Sequence, residues 1–332
     1  MNSVVIIGAG ISGLTCAHIL KESGFSVTVV DKARGVGGRM ATRRTESAAN
    51  PGKEAIFDHG AQFFTVRDPR FTMYVEKWLS QGVVKEWCRG FDPNRSSQDG
   101  YPRYVGTNGM TSAPKLLASD QNVVLNSKVL SISTVKEKWS VSSEDGKEFI
   151  SDIVILTPPL PQSLDIIDSG NFELEQTIRT ELELISYDPC IAVLAEIDGP
   201  SQIPDPGAVQ INGTVVSWIC DNSKKGISED VNTITIHSSG NFARDNWDRN
   251  SDDLAKDILN EVSDLIGSQI ISTQVHKWKY CIPTNPLNNY FLVGSNVPNL
   301  IFCGEAFGGA KVEGAFLSGL KTAEELIAIN QK

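Results

Sequence analysis

The sequence has few of the features that mark zinc, disulfide-bonded or membrane proteins. Its six cysteines form no CxxC pair and no Cys/His cluster at zinc spacing, so no metal site is expected. Their scatter suits a reducing compartment better than a disulfide framework. No apolar run approaches the roughly eighteen residues of a membrane span. The N-terminal apolar stretch is broken by glycines and lacks the basic region of a signal peptide. We therefore expect a cytoplasmic protein without a membrane contact.

Positive charge is also in deficit. The 332 residues carry 30 Lys and Arg against 40 Asp and Glu, a formal net charge of -10. A nucleic-acid binder needs a basic face, so nucleic acid is not an expected partner, although a local basic pocket is compatible with this charge. With 40% hydrophobic residues, the composition is that of a globular protein of one large or two ordinary domains. Nothing in the sequence indicates an oligomeric state.

What the sequence does contain, near its start, is a β-α-β pattern. Residues 4–7 form a predicted buried strand, a helix is predicted over 12–22, and a second strand ends at Asp31. A GxGxxG turn joins strand to helix and predicts a pyrophosphate cradle at the helix N-terminus, formed by Gly8, Gly10, Ile11, Ser12 and Gly13. Asp31 is placed to accept hydrogen bonds from an adenosine ribose. The alternative is a tight turn with a structural role only.

The segment DKARGVGGRMATRR follows this unit. Gly37 and Gly38 would let the backbone pass close to a ligand, and Arg39 offers a rigid fork of donors for phosphate. Arg43 or Arg44 could also contact a ligand. The alternative for these arginines is a solvated basic loop.

Further along the chain, the pattern predicts a β-rich middle and two more helices. The continuous apolar run in DIVILTPP favours a return to the parallel sheet, and EDG at 144–146 is a hairpin signal. A polar loop is expected over 92–100, an amphipathic helix over 251–266, and a closing helix from Val312.

Four motifs, GAGISGL, DKARGVGGRM, FDHGAQFF and VEGAFLSG, occur in this order and resemble the flavin-containing amine oxidase superfamily, most closely its renalase-like branch. The resemblance implies FAD, bound non-covalently, rather than NAD. It implies an α/β fold in which a discontinuous Rossmann-like FAD-binding domain (1–64, 106–160 and 296–332) carries an inserted α+β substrate domain (65–105 and 161–295). The inserted domain would be built on a mixed or antiparallel sheet.

The same resemblance assigns roles to residues outside the first turn. Additional FAD contacts are expected from Lys32, Arg39, Met40, Asp58, Gly60, Ala61, Val129, Gly304, Glu305, Val312 and Ala315. Substrate contacts are expected from Gln62, Phe63, Arg103, Tyr104, Trp278, Tyr280 and Lys311. Trp278 and Tyr280 lie two residues apart on a predicted strand, so they could form an aromatic cage or simply be core. His59 could be a general base, but a packed structural histidine is the plainer interpretation.

No catalytic triad or pair of carboxylates stands out, which agrees with flavin chemistry because the flavin itself takes the hydride. A second GxGxxG unit is also missing, which argues against a separate NAD(P)H domain. The resemblance implies oxidation of reduced nicotinamide nucleotides, the 1,2- or 1,6-dihydro isomers of NAD(P)H, with O2 as acceptor and H2O2 as product. Arg103 or Lys311 would receive the phosphates of this small-molecule substrate. Two alternatives stay open, an oxidase of small amines and a flavoprotein that serves as a binding module or redox sensor without turnover.

Overall fold

The computed structural model describes residues 2–91, 100–170, 172–296 and 299–330. The polar loop expected over 92–100 lies outside these ranges apart from its last residue, Gly100. Within the described ranges, no helix is both long and apolar enough to cross a bilayer.

The strands and helices are numbered in chain order. The strands are β1 Ser3–Ile7, β2 Ser26–Val30, β3 Thr42–Glu46, β4 Glu54–Asp58, β5 Val84–Cys88, β6 Arg103–Gly106, β7 Asn122–Val124, β8 Val129–Val135, β9 Lys138–Ser143, β10 Glu148–Ser151, β11 Ile153–Leu156, β12 Tyr187–Ile197, β13 Ala208–Gln210, β14 Val216–Asp221, β15 Thr233–Ser238, β16 Ile270–Pro283, β17 Phe291–Asn296 and β18 Asn299–Cys303. The helices are α1 Ile11–Glu22, α2 Pro69–Ser80, α3 Ser112–Ala118, α4 Leu160–Ser169, α5 Gln176–Glu183, α6 Gly240–Asp245, α7 Ser251–Glu261, α8 Ser263–Ile266, α9 Glu305–Gly308 and α10 Val312–Asn330.

A six-stranded sheet carries the first half of the fold, in the order β17-β18-β11-β1-β2-β7. All neighbours pair in parallel except the edge strand β17. The apolar run of β11 lies beside β1, with Ile155 opposite Ile6, which confirms the expected return to the sheet. Helices α1 and α10 cover one face, while α4 and the antiparallel sheet β10-β9-β8 cover the other. Parallel strands buried on both faces are typical of a Rossmann-like unit, so this part of the predicted fold class is confirmed.

A second sheet of five strands follows the order β13-β14-β15-β12-β16 and is antiparallel throughout. One face is an apolar core in which Ile191, Val193 and Ile236 pack against Leu254 and Ile258 of α7. The predicted amphipathic helix therefore forms, but it is interrupted at Val262 and completed by the short α8. The other face of the sheet is turned toward the first half of the molecule.

The division of the chain into an FAD-binding domain and an inserted substrate domain, with its residue boundaries, stays a prediction. The five-stranded sheet lies within 161–295. The segment 65–105 instead packs in the core of α1 and α10, where the ring of Phe71 lies 4.5 Å from that of Phe316. Asp68 caps α2 by accepting from the N–H of Arg70 at 2.9 Å.

Candidate functional site

A large cavity lies where the carboxyl ends of the parallel strands face the five-stranded sheet. Its volume is about 1850 Å³, and the ends of β1, β2, β11 and β18 contribute Ile7, Val30, Thr157 and Gly304 to its wall. Ligands of open parallel sheets bind at this edge, because the strand-to-helix loops there leave a crevice and helix N-termini point into it.

The glycine turn is shaped for a close ligand. Gly8 has a φ of +110°, and a Cβ there would lie 2.2 Å from the Thr157 hydroxyl oxygen, so only glycine fits. A Cβ on Gly13 would lie 2.2 Å from the carbonyl oxygen of Gly8, which keeps α1 tight against the turn. Nothing lies within 4 Å of a Cβ placed on Gly10, which is the open side facing the cavity. This surface has the room and the donors that a pyrophosphate requires.

Asp31 fastens this turn as well as facing the cavity. Its Oδ2 accepts from the N–H of Ala9 at 2.6 Å, and its Oδ1 accepts from the N–H of Ala33 at 2.7 Å. A carboxylate oxygen can accept more than one hydrogen bond, so Asp31 keeps capacity for a ribose hydroxyl.

Arg39 and Glu305 form an ion pair at the other end of the cradle. Arg39 Nη2 donates to Glu305 Oε2, and Nη1 donates to the carbonyl of Tyr280 at 3.2 Å. Burial opposes the charge of Arg39, but the adjacent Glu305 holds the pKa of Arg39 above its ordinary value. Within the described ranges Glu305 Oε1 is buried and has no partner. An orphaned acceptor in the cavity wall fits a hydroxyl of a bound FAD, whereas the Arg39 guanidinium is engaged and its contact with a pyrophosphate stays a prediction.

The close approach of Gly60 to Arg39 positions the motif FDHGAQFF. A Cβ on Gly60 would lie 2.1 Å from the carbonyl oxygen of Arg39, and the N–H of Ala61 donates to that same oxygen at 2.7 Å. Ala61 therefore lines the cavity with its small side chain, as a flat ring close by would need.

Helix α10 begins at Val312 and directs its N-terminus to the same cavity. Val312 and Ala315 both line the wall. The N–H of Ala315 already donates to the carbonyl of Lys311 at 3.0 Å, so the N–H groups available for a ligand are those of the preceding three residues. The helix dipole makes this end favourable for negative charge.

The cavity-facing side of the five-stranded sheet carries a row of side chains that we call the roof. The row crosses the five strands in their order in the sheet. Its members, each opposite the next in the strand register, are Gln210, Trp218, His237, Ala192 and His276. Residues paired in this way project from the same face of a sheet. Gln210, Trp218, His237 and His276 accordingly line the cavity.

The roof contacts the segment directly after β4 through hydrogen bonds to the backbone carbonyl of His59. The His59 oxygen accepts from Trp278 Nε1 at 2.8 Å and lies 3.2 Å from His237 Nε2. The His59 ring stacks 5.3 Å from the ring of Trp278 and meets that of His276 edge-on at 4.9 Å. The sequence singled out His59 alone, whereas the structure brings together three of the four histidines of the chain.

These histidines are uncharged at neutral pH. Burial, and then the neighbouring His276 and Arg43, lower the pKa of His59 to about 3. Burial lowers the pKa of His237 to about 4, and burial followed by Arg43 also lowers the pKa of His276. With such a low pKa, His59 is present as the neutral imidazole and can accept a proton only weakly. The plainer interpretation, a packed histidine, therefore agrees better with its surroundings than a general base does.

Most of the sequence-predicted site residues meet at the cavity. The predicted residues in its wall are Gly8, Gly10, Ile11, Ser12, Asp31, Lys32, Arg39, Met40, Gly60, Ala61, Gln62, Phe63, Arg103, Val129, Trp278, Tyr280, Gly304, Glu305, Lys311, Val312 and Ala315. Gly13, Asp58 and Tyr104 lie outside it. Tyr104 stacks on Phe64 with ring centroids 5.7 Å apart. The Trp278 ring stacks with that of His59, and the Tyr280 ring packs edge-on against Tyr187 at 5.6 Å. Both residues line the cavity, and the aromatic cage stays a prediction.

Asp58 lies behind the wall, in a buried ion pair. Its Oδ2 is 2.8 Å from Lys225 Nζ, and neither side chain has exposed surface. Its Oδ1 accepts from Thr42 Oγ1 at 2.6 Å and from the N–H of Met110 at 2.8 Å. Asp58 therefore fastens the end of β4 to the loop after β14, and its expected direct contact with FAD is not part of this arrangement.

Comparison with known proteins assigns the family. The model of the family described as "Flavin containing amine oxidoreductase" matches residues 88–327, and that of an NAD(P)-binding Rossmann-like domain matches 6–78. The chain belongs to the flavin-containing amine oxidoreductase family. This oxidoreductase is similar to renalase of Mus musculus, with 25% identity over 98% of this chain and 99% of the mouse chain.

Solved structures share the fold of this chain. Cyclohexylamine oxidase from Brevibacterium oxydans IH-35A superposes with a TM-score of 0.74 at 13% identity, covering 100% of both chains. Putrescine oxidase bound to putrescine gives 0.72 at 16% identity, covering 98% of this chain and 99% of the other. By its family this chain is an FAD-dependent oxidoreductase that binds its cofactor non-covalently, and the glycine turn, Glu305 and α10 offer groups suited to hold FAD.

Proposed function

We propose that the enzyme oxidises reduced nicotinamide nucleotides, the 1,2- or 1,6-dihydro isomers of NAD(P)H, and uses O2 as electron acceptor. The charge of the cavity carries this proposal. Among the residues that the structure describes, twelve Lys and Arg residues line it against four Asp and Glu residues, in a chain whose formal net charge is -10. A bound FAD pyrophosphate would offset only part of this positive charge. The remainder attracts an anionic substrate and repels a cationic amine.

The positive residues lie on both sides of the cavity. Arg67, Arg103 and Lys311 are on the side of α2 and α10, and Lys279 is on β16. The neighbouring Lys277 also lines the wall, but its Nζ donates to the carbonyls of Trp247 and Arg249. Arg103 lies over the Phe91 ring at 4.9 Å and the Phe63 ring at 5.7 Å, which holds its guanidinium against an aromatic wall. A nucleotide can place its flat rings against this aromatic wall and its phosphates beside the Lys and Arg side chains, so it would contact both the aromatic and the cationic parts of the cavity.

The residues of the chain orient the donor and exclude water. Bound FAD would supply a two-electron acceptor for the hydride of the donor and a route for those electrons to O2, with H2O2 as product. Ala61, Phe63 and Trp278 provide an apolar wall for a planar ring, and the three histidines beside it are neutral.

Anaerobic mixing of the FAD-loaded enzyme with each class of donor tests the proposal. We expect the flavin absorbance near 450 nm to bleach with dihydronicotinamide isomers and to persist with small primary and secondary amines; admitting O2 should then restore the colour and release H2O2. Rapid bleaching by an amine, with none by the dihydronicotinamide isomers, would establish an amine oxidase instead. Absorbance that persists with every donor would favour a flavoprotein without turnover.

A further inference from the structure

Arg43 is a cation in the cavity wall without a carboxylate partner in the described part of the chain. It lies on β3, half-buried, where the β3-β4 hairpin meets β16. Its Nη1 donates to Gln274 Oε1 at 3.1 Å. A guanidinium has five N–H donors, so Gln274 leaves most of them available. Arg39 differs in this respect, because it forms an ion pair with Glu305.

The surroundings of Arg43 add positive charge rather than compensating for it. Burial, and then the nearby Arg34, lower the pKa of Arg43. Arg34 comes from the separate loop after β2, is exposed, and also lines the cavity. His59 and His276, whose pKa values Arg43 helps to lower, are neutral. Arg43 and Arg34 come from different segments and line the same cavity, so an anion bound between them would relieve the repulsion of their charges.

The geometry points to a phosphate. Guanidinium groups bind phosphate oxygens through two parallel hydrogen bonds, and two arginines suit a phosphate or pyrophosphate carrying about two negative charges. The FAD pyrophosphate already has its cradle at the glycine turn, so this second position is free for another ligand. We propose that Arg43 and Arg34 form a phosphate-binding subsite at the rim of the cavity, which holds the phosphate or pyrophosphate of the nucleotide substrate. The inference that phosphate binds here depends only on Arg43 and Arg34, whereas the inference that this phosphate belongs to a nucleotide substrate rests on the proposed function.

Binding of ADP to the FAD-loaded enzyme tests the subsite without turnover. We expect calorimetry to detect ADP, with adenosine binding much more weakly because it has no phosphate. Arg43→Gln should raise the Kd for ADP roughly ten- to hundredfold, the loss expected for a charge-assisted hydrogen bond, and should leave adenosine unaffected. Arg43→Lys should give an intermediate loss, because it keeps the charge without the fork. Arg34→Gln should have a smaller effect, since Arg34 is exposed.

A matched control is Arg249→Gln. It removes the same charge from an exposed arginine that pairs with Asp257 at 2.8 Å and lies outside the cavity wall. This variant should bind ADP as the wild type does. Raising the salt concentration should weaken ADP binding to the wild type more steeply than to Arg43→Gln.

Three results would overturn the subsite. The first is equal affinity of the wild type for ADP and adenosine, and the second is an unchanged Kd for ADP in both Arg43 variants. The third is loss of FAD from Arg43→Gln after gel filtration, which would assign Arg43 to the cofactor. If ADP binds through Arg43 but dihydronicotinamide isomers do not bleach the flavin, the subsite stands and the proposed function fails.

Discussion

The buried pair of Asp58 and Lys225 makes a sharp prediction about stability. Lys225→Met would leave the Asp58 carboxylate without a counter-ion at a position with no exposed surface. The two donors that remain, Thr42 Oγ1 and the Met110 N–H, both serve Oδ1. Breaking such a pair by removing one partner costs about 3–5 kcal/mol of unfolding free energy, because the other charge stays buried.

The double variant Lys225→Met/Asp58→Asn separates the charge from the packing. The amide oxygen that replaces the carboxylate can keep both donors to Oδ1, so the remaining cost is one unpartnered amide N–H group, about 1–3 kcal/mol. The two single variants should together cost at least about 3 kcal/mol more than the double variant. Urea unfolding of the FAD-loaded enzyme, followed by tryptophan fluorescence, measures all three.

Lys53→Met is the control for this cycle. Lys53 and Asp230 form an equally direct pair at 3.0 Å, but both side chains are more than half exposed, so the cost should stay within about 1 kcal/mol. Purely additive effects at Asp58 and Lys225, or equal losses in Lys225→Met and Lys53→Met, would refute the account of a buried ion pair that joins β4 to the second sheet.

Three further predictions concern helix packing, pH and cofactor retention. Gly319→Ala should destabilise the protein by more than about 1 kcal/mol, since the new Cβ would lie 2.1 Å from the Ser12 carbonyl oxygen; an unchanged urea midpoint would contradict the close α1-α10 contact. His59 is neutral when folded, with a pKa near 3, whereas the unfolded residue protonates below about 6.5, so folding stability falls as pH drops through this window. By pH 5 the loss should be about 2 kcal/mol greater in the wild type than in His59→Gln by urea unfolding, and equal losses would count against it. Glu305→Gln should lower the ratio of FAD to protein after gel filtration, because it removes the charge beside Arg39, and full retention would show that the pair does not support the cofactor site.

The cofactor end of the site could be predicted because its signals are local. The turn from Gly8 to Gly13 and the acid at Asp31 lie within one β-α-β unit, where spacing along the chain fixes the positions in space. The start of α10 at Val312 also agrees with the prediction, whereas its position at the cavity was implied only by the family resemblance. These elements are identified by steric needs that only glycine meets, and the sequence displays them directly.

The roof could not be predicted in the same way. Trp218, His237 and His276 come from three strands, and they share one face only because of the register of β14, β15, β12 and β16. Alternation in segments such as TITIHS indicates which residues share a side, but it does not say which strands are neighbours. Lys225 is similar: it lies 167 residues from Asp58, and a lysine in a polar segment gives no sign of burial. In β14 and β15, Trp218 and His237 stand beside apolar residues, and this interruption of the apolar pattern was a signal that they face a ligand rather than the core.

The register of the roof also limits how this pocket can change in evolution or design. Because side chains alternate between the two faces of a strand, inserting or deleting one residue in β15 would turn His237 into the apolar core and Ile236 toward the ligand. Substitutions at the roof positions leave this alternation intact. New substrate preferences in this scaffold are therefore reached by exchanging side chains at fixed positions, while changes of length are confined to the loops between the strands.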